Sequence, residues 1–293
     1  LPRLALLSCR DAKKAGETLR LRPKALNAYR QELTRVAELR EAIGNRELSL
    51  HFQPKVATTD GLVRSTEALV RWEHPVEGML PPNEFVTLAE EHGLMPSLTD
   101  LVTDMAAAQS KDWIDQGLDL NVAVNLGLAD LFDHSLVERM TTTLGRHGIE
   151  PANFTLEISE DLVMRHTALL TWNLEALRTA DFAVSLDDFG SGTTSLAHLR
   201  SLPVDEIKLD RSLVGKMHMT REDAMITESV VSIAKVLGLN VVAEGVEEEA
   251  TVQRLFQLDC GYIQGFYFSR PLPAERFSEW LDEHRKDGVP FRP

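Results

Sequence analysis

Eight short apolar runs recur along the sequence, most of them separated by helical segments. They are LSLHFQPKV (48–56), STEALVRW (65–72), LNVAVNL (120–126), NFTLEIS (153–159), FAVSLD (182–187), VDEIKLD (204–210), LNVVAEG (239–245) and GYIQGFYF (261–268). Runs of this length, rich in β-branched and aromatic residues, read as strands. Eight strands alternating with helices over about 240 residues predict a TIM-type (β/α)8 barrel rather than an open sheet. Only ATTDGLVR joins the first two runs, which is too short for a crossover helix. The barrel should therefore open with an antiparallel pair, its first strand running against the rest.

Other segments set the expected boundaries. Positions 1–24 are basic and irregular and read as the tail of a preceding unit or a linker. ALNAYRQELTRVAELREAIG (25–44) has the period of an amphipathic helix closed by a glycine, suited to linking or capping the barrel. The barrel domain should occupy 45–285, with 286–293 as a C-terminal tail. Within it, PNEFVTLAEEHG (82–93) predicts a helix with Asn83 as N-cap and Gly93 as C-cap.

Composition excludes several classes. A net charge of −14 argues against a nucleic-acid polymer as partner, because backbone binding needs a basic face. The two cysteines, Cys9 and Cys260, form no CxxC, so neither a disulfide framework nor a zinc site is expected. Cys260 reads as a small buried apolar residue, and a reducing cytoplasm fits this usage. No apolar run reaches the ~18–20 residues of a membrane span, and LPRLALLSC is too short for a signal peptide, so no membrane contact is expected.

Side chains alternate along a strand. Phe182, Val184 and Leu186 share one face of their run, and Ala183, Ser185 and Asp187 share the other. The large apolar face should pack on the helices, and the small face should point into the barrel. The same parity sets Asn121 and Asn125, Glu157, Glu206, Lys208 and Asp210, Glu244, and Gln264 inward. The inward polar residues collect near C-terminal strand ends, where TIM-type barrels carry their active sites. One such acid is usually a helix cap or a solvated rim charge. Several in one confined mouth raise each other's pKa, and cations would relieve that.

The candidate ligands Glu67, Asn125, Glu157, Asp187, Asp188 and Glu244 all offer oxygen, and none of the nine histidines sits at a matching position. Oxygen donors favour Mg²⁺ or Mn²⁺, and six of them suit two ions sharing a carboxylate. Adjacent Asp187 and Asp188 cannot both point inward from a regular strand, so the strand should end between them. The glycines of SLDDFGSGTTSL (185–196) then allow a turn rather than cradle phosphate. Lys208 is the one cation in the inward set. Beside two divalent ions its pKa should fall, and it could take a proton from an attacking water or orient that water. The plainer alternative is a structural ion pair with Glu157 or Glu244.

These residues resemble the EAL domains, phosphodiesterases of bacterial signal transduction that hydrolyse cyclic di-GMP to linear pGpG. The likeness runs through FQPK (52–55), EAL (67–69), LPPNEFVTLAE (80–90), VAVNL (122–126), LEISE (156–160), DDFGSGTTSLAHLRSLPVDEIKLDRSLV (187–214), VVAEGVE (241–247) and QGFYFSRPLP (264–273). It implies the metal ligands already named, Lys208 as the catalytic lysine and Gln264 near the metal-bound water. It implies that Glu160 holds the loop after the double aspartate, and that Gln53, Leu69 and Arg71 touch the dinucleotide, Arg71 at a phosphate. Glu67 and Glu244 join the catalytic set. Three positions depart from the family pattern: Thr193 replaces a tyrosine in the loop that couples dimerisation to activity, NLS reads NLG at Gly127, and QGY reads QGF at Phe266. The first 24 residues resemble the end of a GGDEF domain. Implied partners are cyclic di-GMP and a second copy of the chain, as a homodimer. The alternative is a catalytically silent cyclic di-GMP receptor, which typically loses metal ligands; all are retained here.

Overall fold

The computed structural model describes residues 23–191, 199–217 and 219–287. Ten strands form its sheet: β1 (Leu48–Ala57), β2 (Val63–His74), β3 (Gly78–Leu80), β4 (Asn121–Asn125), β5 (Phe154–Ser159), β6 (Ala183–Phe189), β7 (Glu206–Leu209), β8 (Asn240–Ala243), β9 (Tyr262–Ile263) and β10 (Leu272–Pro273). β1 pairs with both β2 and β9, which closes eight strands into a barrel in the order β1-β2-β4-β5-β6-β7-β8-β9. β1 is antiparallel to both neighbours and the other barrel pairs are parallel. The expected reversed first strand is therefore present. β3 and β10 extend the sheet outside the ring, paired to β2 and β1.

The helices are α1 (Pro23–Asn45), α2 (Val86–Glu91), α3 (Met95–Asp115), α4 (Leu128–Leu131), α5 (Leu136–His147), α6 (Glu160–Thr179), α7 (Arg211–Val214), α8 (Arg221–Val236), α9 (Glu249–Gln257) and α10 (Ala274–Asp287). None is long and apolar enough to cross a membrane among the described residues. The apolar strand faces form the core between sheet and helices: Val122, Val124, Phe154, Leu156, Ile158, Val184, Leu186, Ile207 and Leu209 are fully buried. Small polar faces turned inward leave large apolar faces outward, so each strand needs a covering helix. Behind β1, Phe52, Trp113 and Phe277 make a tilted aromatic cluster, with Phe52–Trp113 centroids 4.8 Å apart.

α1 packs against α2 and α3. Val36, Leu39, Ala42 and Ile43 are buried along one stripe of it. His92 Nε2 lies 2.9 Å from Glu32, near the middle of the helix, and Arg46, just past its C-terminal end, donates to Asp104 at 2.6 Å. The expected cap at Asn83 is not formed. Asn83 lies within a 3₁₀ turn, Pro82–Glu84, and α2 starts after Phe85. Pro82 fixes φ and lacks an N–H, which favours opening that tight turn one residue earlier. Gly93 does follow the helix end in a left-handed conformation, φ +68°.

Candidate active site

One lysine organises the C-terminal mouth of the barrel. Lys208 extends from β7 into the interior and is fully buried. Its Nζ donates to Glu157 Oε2 at 2.8 Å, Glu244 Oε1 at 2.8 Å and Asp187 Oδ1 at 3.1 Å, and reaches Glu67 Oε2 at 3.4 Å. These carboxylates come from β5, the end of β8, β6 and β2. Asn125, ending β4, donates to Glu67 Oε1 at 2.9 Å. Gln264, just past β9, donates to Glu67 Oε2 at 2.6 Å and to Gln53 Oε1 at 3.1 Å, and Gln53 donates to the Ser269 carbonyl. The Gln264 Oε1 atom is buried without a partner among the described residues.

The double aspartate is held differently from the sequence expectation. β6 does not end between Asp187 and Asp188; it runs on to Phe189. Leu186 pairs with Ile207 and Phe189 with Leu209, so three steps on β6 oppose two on β7. One residue is extra, which is a bulge. Asp188 carries it at φ +58°, a conformation that aspartate adopts more readily than most residues. The bulge resets the alternation, so both acids serve the mouth. A carboxylate oxygen from each of Asp187, Asp188 and Glu244 lies within 4.8 Å of the others. Beyond the bulge, the Gly190 N–H donates to buried Glu160 Oε2 at 2.7 Å, tying this turn to the first residue of α6. Gly190 has φ +96°, and a Cβ there would meet Leu213 Cδ1 at 2.1 Å. Gly192 and Thr193 lie outside the described residues.

The electrostatics are strained in one direction. Burial and Glu67 push Glu157 up to about 7, despite Lys208 and Lys55. Burial and neighbouring acids also raise Glu244 and Asp188. Glu67 alone is held low, since Lys208, Lys55 and two amide hydrogen bonds outweigh its burial. Burial acts to lower Lys208, but four carboxylates outweigh it and hold the ammonium well above the usual lysine range. The ion-paired form of Lys208 is thus what the protein groups favour; the expected fall depends on cations that share those carboxylates.

The match to known proteins follows this geometry. The EAL domain family profile matches residues 36–271. The chain belongs to the EAL domain family. It is 40% identical over 254 residues to the bifunctional diguanylate cyclase/cyclic di-GMP phosphodiesterase MucR of Pseudomonas aeruginosa, covering 86% of this chain and 37% of MucR. It is 39% identical over 261 residues to the cyclic di-GMP phosphodiesterase NbdA of the same organism, covering 89% and 33%. The chain thus spans about a third of the length of these relatives. A solved structure of the PaMucR phosphodiesterase in complex with c-di-GMP superposes with a TM-score of 0.78 at 40% identity, covering 84% of this chain and 99% of that one.

This EAL domain adds one feature that strand-end parity did not select. Lys208 is not the only cation inside the barrel. Lys55, on β1, is fully buried and donates to Glu157 Oε1 at 2.9 Å and Glu206 Oε1 at 3.2 Å. Its signal was present, since Lys55 lies two residues after Gln53 and so shares its inward face. Asp210, by contrast, is a helix cap, accepting from the Ser212 N–H at 2.9 Å.

Six carboxylates (Glu67, Glu157, Asp187, Asp188, Glu206, Glu244) therefore face two ammonium groups, leaving an excess of four negative charges if all ionise. An all-oxygen set with that excess and an orphaned amide oxygen fits divalent cations. Beside it, a cavity of about 390 Å³ is lined by Leu69, Val86, Met95, Leu98 and Leu126 together with Glu67, Asn125, Asp187 and Asp188. Arg71 shares the inward face of β2 with Glu67 and Leu69, is half-buried, and donates to the Val70 carbonyl. No ion pair joins it to the acids among the described residues. Gly127 suits its place, as a Cβ there would lie 2.8 Å from Met95 Cε. Phe266 is exposed with the Arg270 guanidinium 4.1 Å above its ring.

Proposed function

We propose that this EAL domain hydrolyses cyclic di-GMP to linear pGpG in bacterial second-messenger signalling. The carrying observation is the convergence of Glu67, Glu157, Asp187 and Glu244 on Lys208 at the mouth of a barrel of this family. MucR and NbdA, named as cyclic di-GMP phosphodiesterases, support the reading.

Glu67, Asn125, Glu157, Asp187, Asp188 and Glu244 would hold two Mg²⁺ or Mn²⁺ ions. When bound, such ions neutralise phosphodiester charge and lower the pKa of water. Lys208 sits among the same oxygens and orients the attacking water. Gln264 fixes one Glu67 oxygen and Asn125 the other, so that the carboxylate plane is set before substrate arrives. Arg71, on the inward face of β2, would meet a phosphate, while Gln53 and Leu69 would hold the dinucleotide along the cavity. Glu160 fixes the turn after Asp188 through Gly190. Water adds to phosphorus, the P–O3′ bond breaks, and the water proton ends on O3′. A cytoplasmic setting and action as a homodimer belong to the same proposal.

Incubation with cyclic di-GMP and Mn²⁺ or Mg²⁺ should yield pGpG, and Glu67→Ala should abolish it. Binding without turnover would instead make the chain a receptor. Full activity in Glu67→Ala would overturn the ligand assignment.

A further inference from the structure

Lys55 and Glu206 are buried, charged and absent from the roles above. Lys55 rises from β1, whose two neighbours are β2 and β9. Its ammonium nevertheless reaches β5 and β7, each three strands away around the ring, one in either direction. It therefore crosses the barrel interior. Its two partners are not equivalent. Glu206 faces the same side of β7 as Lys208, two residues earlier. Glu157 is shared: Oε1 accepts from Lys55 at 2.9 Å and Oε2 from Lys208 at 2.8 Å.

A carboxylate gripped on both oxygens cannot rotate about its terminal torsion, which is otherwise broad. The lower grip decides which oxygen faces the mouth. Without Lys55, Glu157 Oε1 would lie buried with no cation, and the group would turn or take up a proton. Lys208 would then lose the fixed partner that centres its ammonium among Glu67, Asp187 and Glu244.

We infer that Lys55 is a positioning residue, acting through Glu157 to set the metal-binding carboxylates and Lys208, with Glu206 as the counter-charge that lets Lys55 be buried there. The inference rests on the proposed function. Groups that orient metal ligands from behind typically matter 10–100-fold for metal affinity or activity.

The plain alternative is that Lys55 only balances buried charge. Lys55→Met, Glu206→Gln and the double variant Lys55→Met/Glu206→Leu separate the two. Three readouts apply: thermal midpoint, Mn²⁺ affinity by calorimetry with Mn²⁺ alone, and kcat and KM for cyclic di-GMP.

Lys55→Met should lower the midpoint and weaken Mn²⁺ affinity about 10–100-fold. The double variant, an apolar pair in place of an ionic one, should recover the midpoint. Its Mn²⁺ affinity should stay about 10–100-fold weak, with kcat reduced and KM within about threefold of the parent. Glu206→Gln, which keeps Lys55 on Glu157, should hold Mn²⁺ affinity within about threefold. If Lys55→Met does not fold, the double variant carries the test.

Parental Mn²⁺ affinity and kcat in the double variant would overturn the inference, as would Glu206→Gln losing affinity as fully as Lys55→Met. A parent chain that neither binds Mn²⁺ nor forms pGpG would instead refute the proposed function, which keeps the two failures distinct.

Discussion

Gly190→Ala adds one methyl group after the Asp187–Asp188 bulge, and the structure gives it two separable penalties. The first is conformational. Gly190 sits at φ +96°, and left-handed backbone costs an L-residue roughly 1–2 kcal/mol. The second is steric. The added Cβ would lie 2.1 Å from Leu213 Cδ1 and 2.9 Å from Cγ. Leu213 is half-buried and can swing away, at about 0.5–1.5 kcal/mol for leaving its rotamer. Alanine also restricts the unfolded chain, which offsets about 0.4–1 kcal/mol. The net loss should be about 1–3 kcal/mol by urea denaturation. In a Leu213→Ala background the penalty should shrink by about 0.5–1.5 kcal/mol, the steric share alone. Turnover should fall on the order of 10–100-fold in both backgrounds, because any backbone shift that relieves φ also moves the N–H held by Glu160 and the acids before it. A Gly190→Ala variant within about 0.5 kcal/mol of the parent, or a penalty indifferent to Leu213, would refute this account.

Two further predictions concern stability. Leu39→Ala removes a fully buried side chain from α1, which packs on α2 and α3, and should cost about 2–5 kcal/mol in denaturant; a loss under about 1 kcal/mol would mean that α1 is not an integral part of the fold. Cys260 titrates from a raised position, because burial pushes its thiol from 9.0 up to about 12. A raised folded pKa gives stability that is complete below the unfolded value and is lost as pH rises through the folded one. Stability should therefore fall by about 1 kcal/mol between pH 9 and 10 from this group, and Cys260→Ala should lack that component. An unchanged pH slope in the variant would show that Cys260 does not contribute it.

Strand direction explains what could be read from the sequence and what could not. Parity needs only the period of two, so Asn125, Glu157, Asp187, Lys208 and Glu244 were visible as inward residues once strands were located. The reversed first strand was visible because ATTDGLVR cannot hold a helix. The strand end expected between Asp187 and Asp188 was wrong because a one-residue bulge has no signature of its own; aspartate tolerates φ +58° without demanding it. β3 and β10, of three and two residues, are too short to show a period.

Lys55 was missed for a reason that follows from the same reversal. Searching C-terminal strand ends finds mouth residues on parallel strands, but β1 runs the other way, so its later residues go deeper rather than nearer the mouth. Gln53 pairs in register with Glu67, at the level of the site, and Lys55 with Ser65, one step below. A parallel strand in this place would offer the mouth its last residues and leave the floor to its first. The antiparallel β1 can instead deliver a hydrogen-bonding amide at the mouth and then, two residues on, a cation beneath Glu157. The stack Glu206–Lys55–Glu157–Lys208 alternates in sign from the floor upward, and its top member meets three more acids. Every charge below Lys208 has an opposite partner. The uncompensated charge is confined to the mouth, the one level where ions and substrate can enter from solvent.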